Sequence, residues 1–155
     1  MLEEIKAKVQ EKFGFESEPY DTNILLIHCN RNSLRDLMRF LKEEGFNYAH
    51  TVSIVDYTPK GKGFQANYII ENLTEKKFVM VRVELPEDDL TIPSLHDIFP
   101  PLQAHEREAW EMFGVEFIGH PRLEVMILPE WAKGWHPLRK SYDFKKHRKP
   151  TKEKK

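Results

Sequence analysis

Apolar residues along the chain change their spacing twice, and each change marks a change of element. Residues 2–13, LEEIKAKVQEKF, carry Leu2, Ile5, Val9 and Phe13 on one stripe, which predicts an amphipathic helix stopped by Gly14. A polar link through Pro19 follows, and TNILLIHC then reads as a buried strand. Asn30 or Asn32 is placed to cap a second helix from about Ser33 to Glu44, with Leu34, Leu37, Met38 and Leu41 inward and Gly45 at its end. From there the period falls to two. FNYAHTVSIVDYT, GFQANYIIENLT and KFVMVRVELP read as strands, joined by PKGKG and NLTEKK as hairpin connections. Helix, strand, helix and meander together predict an α+β fold: a two-layer sandwich with both N-terminal helices on one face of a mainly antiparallel sheet.

From Pro86 the pattern loses its period. PEDDLTIPSLHDIFPP is punctuated by proline and leads into a third helix that starts after Pro100-Pro101 and stops at Gly114. VEFIGHPRLEVMILPEWAKGWHPLRKSYDF then runs as a long irregular segment with short strands and turns, of the kind that forms functional surfaces in compact proteins. The expected organisation is a core over 1–99, a signature helix and interface extension over 100–144 in the same domain, and a tail over 145–155. No internal repeat is present.

The third helix contains the chain's most unusual stretch, HEREAWEMFG at 105–114. At about 100° per residue, Leu102, Ala109, Trp110, Met112 and Phe113 share a broad apolar face, and His105 and Glu106 fall inside it. Arg107, Glu108 and Glu111 are expected to point away, Arg107 with Glu111 as a surface i, i+4 pair. A carboxylate among aromatic residues is costly unless it is paired. Glu106 is therefore either a tuned acid or base, with His105, His120 or His136 as partner, or a structural carboxylate bonded to an arginine or to loop amides. The structural role is favoured, because buried charges persist when paired and no nucleophile accompanies this one.

Bulk properties narrow the remaining choices. The 155 residues, 40% hydrophobic and 32% charged, suit one globular domain with a charged surface. No apolar run is long enough to span a bilayer, and MLEEIKAKVQ lacks the apolar core of a signal peptide, so a cytoplasmic location is expected. A single cysteine, Cys29, rules out an internal disulfide or a multi-cysteine cluster made by this chain alone, and its place after an apolar run makes it a core residue. The net charge of −1 hides an asymmetry: KKHRKPTKEKK at 145–155 holds seven Lys/Arg and one Glu, leaving 17 basic against 24 acidic residues elsewhere. Such a tail can be a solubilising end, a nucleic-acid arm, a membrane-surface contact or a peptide laid over an acidic neighbour; an ordering contact is expected.

Most ligand chemistries lack their motif. None of the seven histidines forms an H-x-x-x-H pair, and His120 and His136, each held extended before a proline, read as turn-fixing residues bonded to backbone, with a His/His/carboxylate metal site assembled by folding as the alternative. Neither GxGxxG nor GxxxxGK[ST] occurs. A nucleic-acid reading rests on the tail and on WHPLRK, where Trp135 neighbours Arg139 and Lys140, but the acidic body opposes it. What remains is a protein-binding surface. Trp131, Trp135, Tyr142 and Phe144, interleaved with Arg139 and Lys140, have the composition of an interface core, or else fold back to cover a sheet edge.

The string HEREAWEMFGVEFIGHPRL, with LPEWAKGWHPLRKSYDF after it, resembles the signature of the 30-kDa-type (C) subunit of respiratory complex I, NADH:quinone oxidoreductase, a family that also serves membrane-bound energy-converting [NiFe] hydrogenases. The matching residues are Glu106-Arg107-Glu108, Glu111, Met112-Phe113-Gly114, Gly119-His120-Pro121 and His136-Pro137-Leu138-Arg139-Lys140. Glu124-Val125 stand where basic residues are usual, and Ala104-His105 replace an aromatic, departures that favour the hydrogenase-like, ferredoxin-linked branch. The resemblance implies a non-catalytic subunit of the peripheral arm on the cytoplasmic side, touching the membrane only indirectly and binding no nucleic acid. It implies no cofactor or metal on this chain, with iron–sulfur clusters, and in the hydrogenase branch a [NiFe] centre, in the partners. Those partners are the large quinone- or [NiFe]-type subunit and iron–sulfur subunits. The implied joint and interface residues are Glu106, Arg107, Glu108, His120, Pro121, Trp135, His136, Pro137, Arg139 and Lys140, with Glu106 tied to Arg139 or to an amide of the Gly-His-Pro turn. The alternatives are a stand-alone module using its tail on nucleic acid, or a small acid–base enzyme centred on Glu106.

Overall fold

The first helix forms where its stripe predicts: α1 covers Leu2–Phe13, buries Ile5 and Val9, and ends at Gly14, whose φ of 71° suits a residue without a side chain. The computed structural model describes residues 1–147, so most of the basic tail over 145–155, and the expectation of an ordering contact for it, lie outside the described residues. The chain continues through β1 (Ser17–Asp21), β2 (Ile24–Cys29), α2 (Leu34–Glu43), β3 (Tyr48–Asp56), β4 (Phe64–Asn72) and β5 (Lys77–Leu85). After these come β6 (Thr91–Pro93), α3 (Leu102–Phe113) and β7 (Glu116–Ile118). Near the start of α2 the Asn30 side chain accepts the Ser33 amide at 2.9 Å.

The five long strands form one sheet in the order β1-β2-β5-β4-β3. β3, β4 and β5 are the antiparallel meander that the sequence predicts. The pairing of β2 is not foreseen by it: β2 runs parallel to β5, with Leu25 opposite Val79 and Ile27 opposite Val81. β1 is a correction, since its residues, SEPYD, read as a polar link. It pairs antiparallel with β2 as an edge strand, mostly exposed, which is where a sheet tolerates Pro19 and a run of charges. β6 and β7, a two-stranded parallel pair, likewise lie inside segments that show no period.

Cross-strand neighbours share a face. Leu25, Ile27, Val79, Val81, Val83, Ala66, Tyr68 and Ile70 therefore lie together, and they form one core with Ile5 and Val9 of α1 and Leu34, Leu37, Met38 and Leu41 of α2. α3 packs against the outer strand β3 and adds Leu102 and Ala109 to the same core. Two layers result, as predicted. Cys29 is a buried core residue, and burial pushes its thiol up to about 12. Among the described residues no helix is long and apolar enough to cross a membrane.

Tyr68 is fully buried, and its hydroxyl makes no hydrogen bond among the described residues. Tyr68→Phe removes that orphan and keeps the ring, so it is expected to raise the unfolding free energy by about 1 kcal/mol. Urea denaturation measures this, and a loss of stability would show that the hydroxyl is satisfied in solution.

Candidate functional site

α3 is gripped from three sides, and each grip uses backbone of a different loop. On the side toward the core, Glu106 is completely buried. One carboxylate oxygen accepts the Leu95 amide at 2.7 Å, and the other accepts the Ser94 hydroxyl. The partner is therefore the loop before the helix. The expected tie to Arg139 or to the Gly-His-Pro turn is not made, because Glu106 projects into the core while those residues pass the helix elsewhere. Ser94 is itself held: its carbonyl accepts Arg35 of α2 at 2.5 Å, and the same guanidinium forks onto Asp97 at 2.8 and 2.6 Å. That fork holds the Asp97 carboxyl down at about 2. Burial raises the Glu106 carboxyl to about 7, against the lowering effect of its two hydrogen bonds.

The side expected to face water is also covered. Glu111 is buried, and its carboxylate accepts the amides of Met126, Ile127 and Leu128 at 3.1, 3.0 and 2.6 Å. Arg107 donates to the carbonyls of Glu124 and Val125, each at 2.7 Å. Arg107 and Glu111 are thus no surface ion pair. They stand one turn apart and read the same loop, the cation taking its carbonyls and the anion its amides. Helical periodicity fails here because the extension returns over the polar face and makes it a second buried face.

The C-terminal end forms the third grip. Arg139 Nε donates to the Phe113 carbonyl at 2.6 Å, the Leu138 amide to Met112 at 3.2 Å, and His136 Nδ1 to Glu111 at 3.2 Å. Three carbonyls that a helix end leaves without partners are so satisfied, with a cation at the negative end of the dipole. A Cβ on Gly114, at φ 80°, would lie 2.5 Å from Arg139 and 2.7 Å from His136, so glycine is needed for both the turn and the close approach. His136 itself has φ 49°, so it is not extended before Pro137 as the sequence predicts, and burial pushes its imidazole pKa down. The Lys140 amide then reaches Asp56 at the end of β3, at 2.7 Å.

The other expected site residues divide into engaged and free. His120 donates Nε2–H to the Gln103 carbonyl at 2.8 Å and accepts the Arg122 amide at 3.0 Å on Nδ1, around the Pro121 turn. Trp135 meets Trp131 edge-on at 5.3 Å and His147 at 5.0 Å, and His147 stacks on Tyr142 at 4.6 Å. These aromatics pack on one another, outside the main core. Glu108 is exposed, and His105 lies 3.3 Å from the Thr51 hydroxyl. Leu138, Trp131 and Phe144 are exposed on the extension. Among the described residues no three His, Cys, Asp or Glu are grouped to hold a metal ion. The sealed Glu106 has no surface at which a substrate could meet it. Arg35, Ser94 and Asp97 escape sequence reasoning, since nothing local marks Ser94-Leu95 as the receptor of a carboxylate twelve residues on.

A sequence profile described as "Respiratory-chain NADH dehydrogenase, 30 Kd subunit" matches residues 27–148. The chain belongs to this family. It is 34% identical over 133 residues to the C subunit of the NADH-quinone oxidoreductase of Acidothermus cellulolyticus, covering 83% of this chain and 69% of that one. It is 33% identical over 153 residues to the C/D subunit of the NADH-quinone oxidoreductase of Proteus mirabilis, covering 90% of this chain but only 25% of the longer relative. Among solved structures, a chain of an archaeal respiratory membrane complex, the membrane-bound sulfane sulfur reductase, is similar with TM-score 0.85 at 28% identity, over 99% of this chain and 97% of that one. The trypsin-resistant fragment (1-134) of Nqo5 is similar with TM-score 0.71 at 26% identity, over 79% of this chain and all of the fragment. For this 30 Kd subunit family member, the matched region begins within β2 and takes in the later strands of the sheet, α3 and the extension; α1 and β1 precede it.

The two grips are tested in different ways, Glu106 by pH and Glu111 by truncation. A glutamate titrates near 4.5 when unfolded and Glu106 near 7 when folded, so between these values the folded state keeps a proton that the unfolded state releases. The stabilisation is full below pH 4.5, falls as pH rises, and is gone above about 7, an effect on the order of 3 kcal/mol. Glu106→Gln abolishes it, so the stability difference between parent and variant is expected to shift by that amount between pH 4.5 and 8 in urea titrations; a constant difference would refute it. Glu111→Ala strips three amides of their acceptor and is expected to cost about 3 kcal/mol locally. Hydrogen exchange at residues 126–128 should then accelerate by two orders of magnitude while β4 and β5 stay protected.

Proposed function

We propose that the chain is a non-catalytic structural subunit of a membrane-bound electron-transfer complex of the complex I or energy-converting hydrogenase type. It stands in the peripheral arm on the cytoplasmic side, clamping the large quinone- or [NiFe]-type subunit and the neighbouring iron–sulfur subunits. Electrons pass through clusters and centres held by those partners, with none bound by this chain.

One observation carries this reading. Glu106, Arg107, Glu111 and Arg139 are all engaged by backbone groups of the chain itself, holding a long irregular extension in one shape, while Trp131, Leu138 and Phe144 project from it. Chemistry leaves polar groups free toward a substrate. Here they are taken up, and apolar ones are presented instead, which is the composition of a docking surface. The relatives named as C subunits, and the longer ones named C/D, support a place beside a larger subunit. The structural likeness to a chain of the sulfane sulfur reductase, an archaeal respiratory membrane complex, supports a place in a complex of that kind.

Affinity purification of the full chain from its own cells in mild detergent tests the reading. Iron–sulfur-containing partners are expected to co-purify, and a free monomer would overturn it. Leu138→Asp, at an exposed position, is expected to change stability by less than about 0.5 kcal/mol. It should nevertheless lower partner recovery several-fold, as quantitative mass spectrometry of the same purification would show.

A further inference from the structure

The central strands are apolar on both faces. β2, ILLIHC, and β5, KFVMVRVEL, run as near-continuous hydrophobic stretches, the pattern of strands covered from two sides. The helices cover one side. By register, Ile24 lies beside Phe78, and Leu26 beside Met80 and then Ile69, so these five residues form two apolar rows on the opposite face. Leu26 is buried yet is no part of the core under the helices, which marks it as belonging to this second face. The polar side chains around the rows bond to one another within the face: Gln65 to Glu84 at 2.7 Å, Asn67 to Gln65 at 3.2 Å, His50 with Glu71 at 2.7 Å.

At the middle of the face stands a cation. Arg82 lies on β5, the central strand, between His28 on β2 and Asn67 on β4, directly beyond Met80. Its Nε donates to the Asn67 side chain at 3.0 Å, and no carboxylate lies within ion-pair distance of it among the described residues. The acids of the face are otherwise engaged: Glu71 with His50, Glu84 with Gln65, and Glu18, on the edge strand, 3.5 Å from His28. A surface laid over the apolar rows would strip water from the guanidinium, which is unfavourable unless a carboxylate meets it.

We infer that the helix-free face of the sheet is a second docking surface, and that its occupant is a neighbouring polypeptide that lays apolar side chains over Met80 and Ile69 and sets an Asp or Glu against Arg82. The inference rests on the proposed place among several subunits of one complex. It adds an interface remote from the extension, so that the chain is held from two directions.

The test uses the full chain isolated in its complex and the same chain alone. Methionine oxidation footprinting of the unaltered protein should slow at least tenfold at Met80 in the complex relative to the free chain; equal rates overturn the inference. Arg82→Glu and Met80→Lys are each expected to melt close to the parent when isolated, yet to lower partner recovery at least tenfold, with Arg82→Lys restoring most of it. Undiminished recovery by both variants, with partners still brought down by the parent, overturns the second surface and leaves the proposed function standing. A parent chain that purifies alone overturns both. A free chain that sediments as a dimer and becomes a monomer on Met80→Lys makes the occupant a second copy and overturns the inference as stated.

Discussion

Everything after residue 86 depends on hydrogen bonds between polar side chains and backbone groups, made both from α3 to its neighbours and from them to α3. A helix against a sheet normally buries one stripe and leaves the rest to water. α3 puts a carboxylate on each of two opposed sides, and both are buried: Glu106 on the Ser94-Leu95 turn, Glu111 on the amides of 126–128. Irregular chain brings amides that no ladder satisfies, and a buried amide without an acceptor costs as much as a lost hydrogen bond. The two glutamates supply acceptors that the loops cannot find in themselves. Without them the linker before α3 and the extension after it would have no single shape.

The anchoring is sequential. Arg35 leaves the second helix to bind Ser94 and Asp97; Ser94 receives Glu106; the helix then offers Arg107 and Glu111 to the returning loop. Beyond that loop, His136, Leu138 and Arg139 close on the last carbonyls of the same helix, a contact that Gly114 permits. A twelve-residue helix thus transmits the position of the core to the whole extension. Opposite requirements meet at its two carboxylates. Glu106 is sealed in an apolar surrounding that favours its proton, whereas the Glu111 carboxylate is spent as the acceptor of three converging amides.

What the sequence shows of this follows from periodicity. α1, α2 and the three-strand meander are legible because each buries one face in a regular rhythm, so the apolar spacing reports the element. β1 is hidden because an edge strand with Pro19 and its charges looks like a linker, and β6 and β7 because three residues are too few to show a period. At the candidate site, Glu106 is conspicuous as a charge in an apolar stripe. Glu111 is not, since a helical wheel assumes a single buried side and cannot foresee a segment that returns from fifteen residues downstream. The partner of Glu106 is hidden for the complementary reason: a pair of donors that receives a carboxylate is a property of backbone conformation, and Ser94-Leu95 has no residue pattern of its own.

The same distinction separates a scaffold from a catalyst. A catalytic group needs one face in contact with a reacting atom, so some of its hydrogen-bonding capacity stays open toward a cavity. Here the charged signature residues Glu106, Arg107, Glu111 and Arg139 are engaged by the chain's own carbonyls and amides, and the extension exposes apolar side chains: Trp131, Leu138 and Phe144. Docking a floppy segment costs roughly 0.5–1.5 kcal/mol for each side chain that must be immobilised. An extension already fixed by Arg107, Glu111 and Arg139 has met that cost during folding, so in the proposed function the apolar contacts it offers would go undiminished into holding a partner. Rigidity established inside the chain is therefore what makes an irregular surface useful between chains.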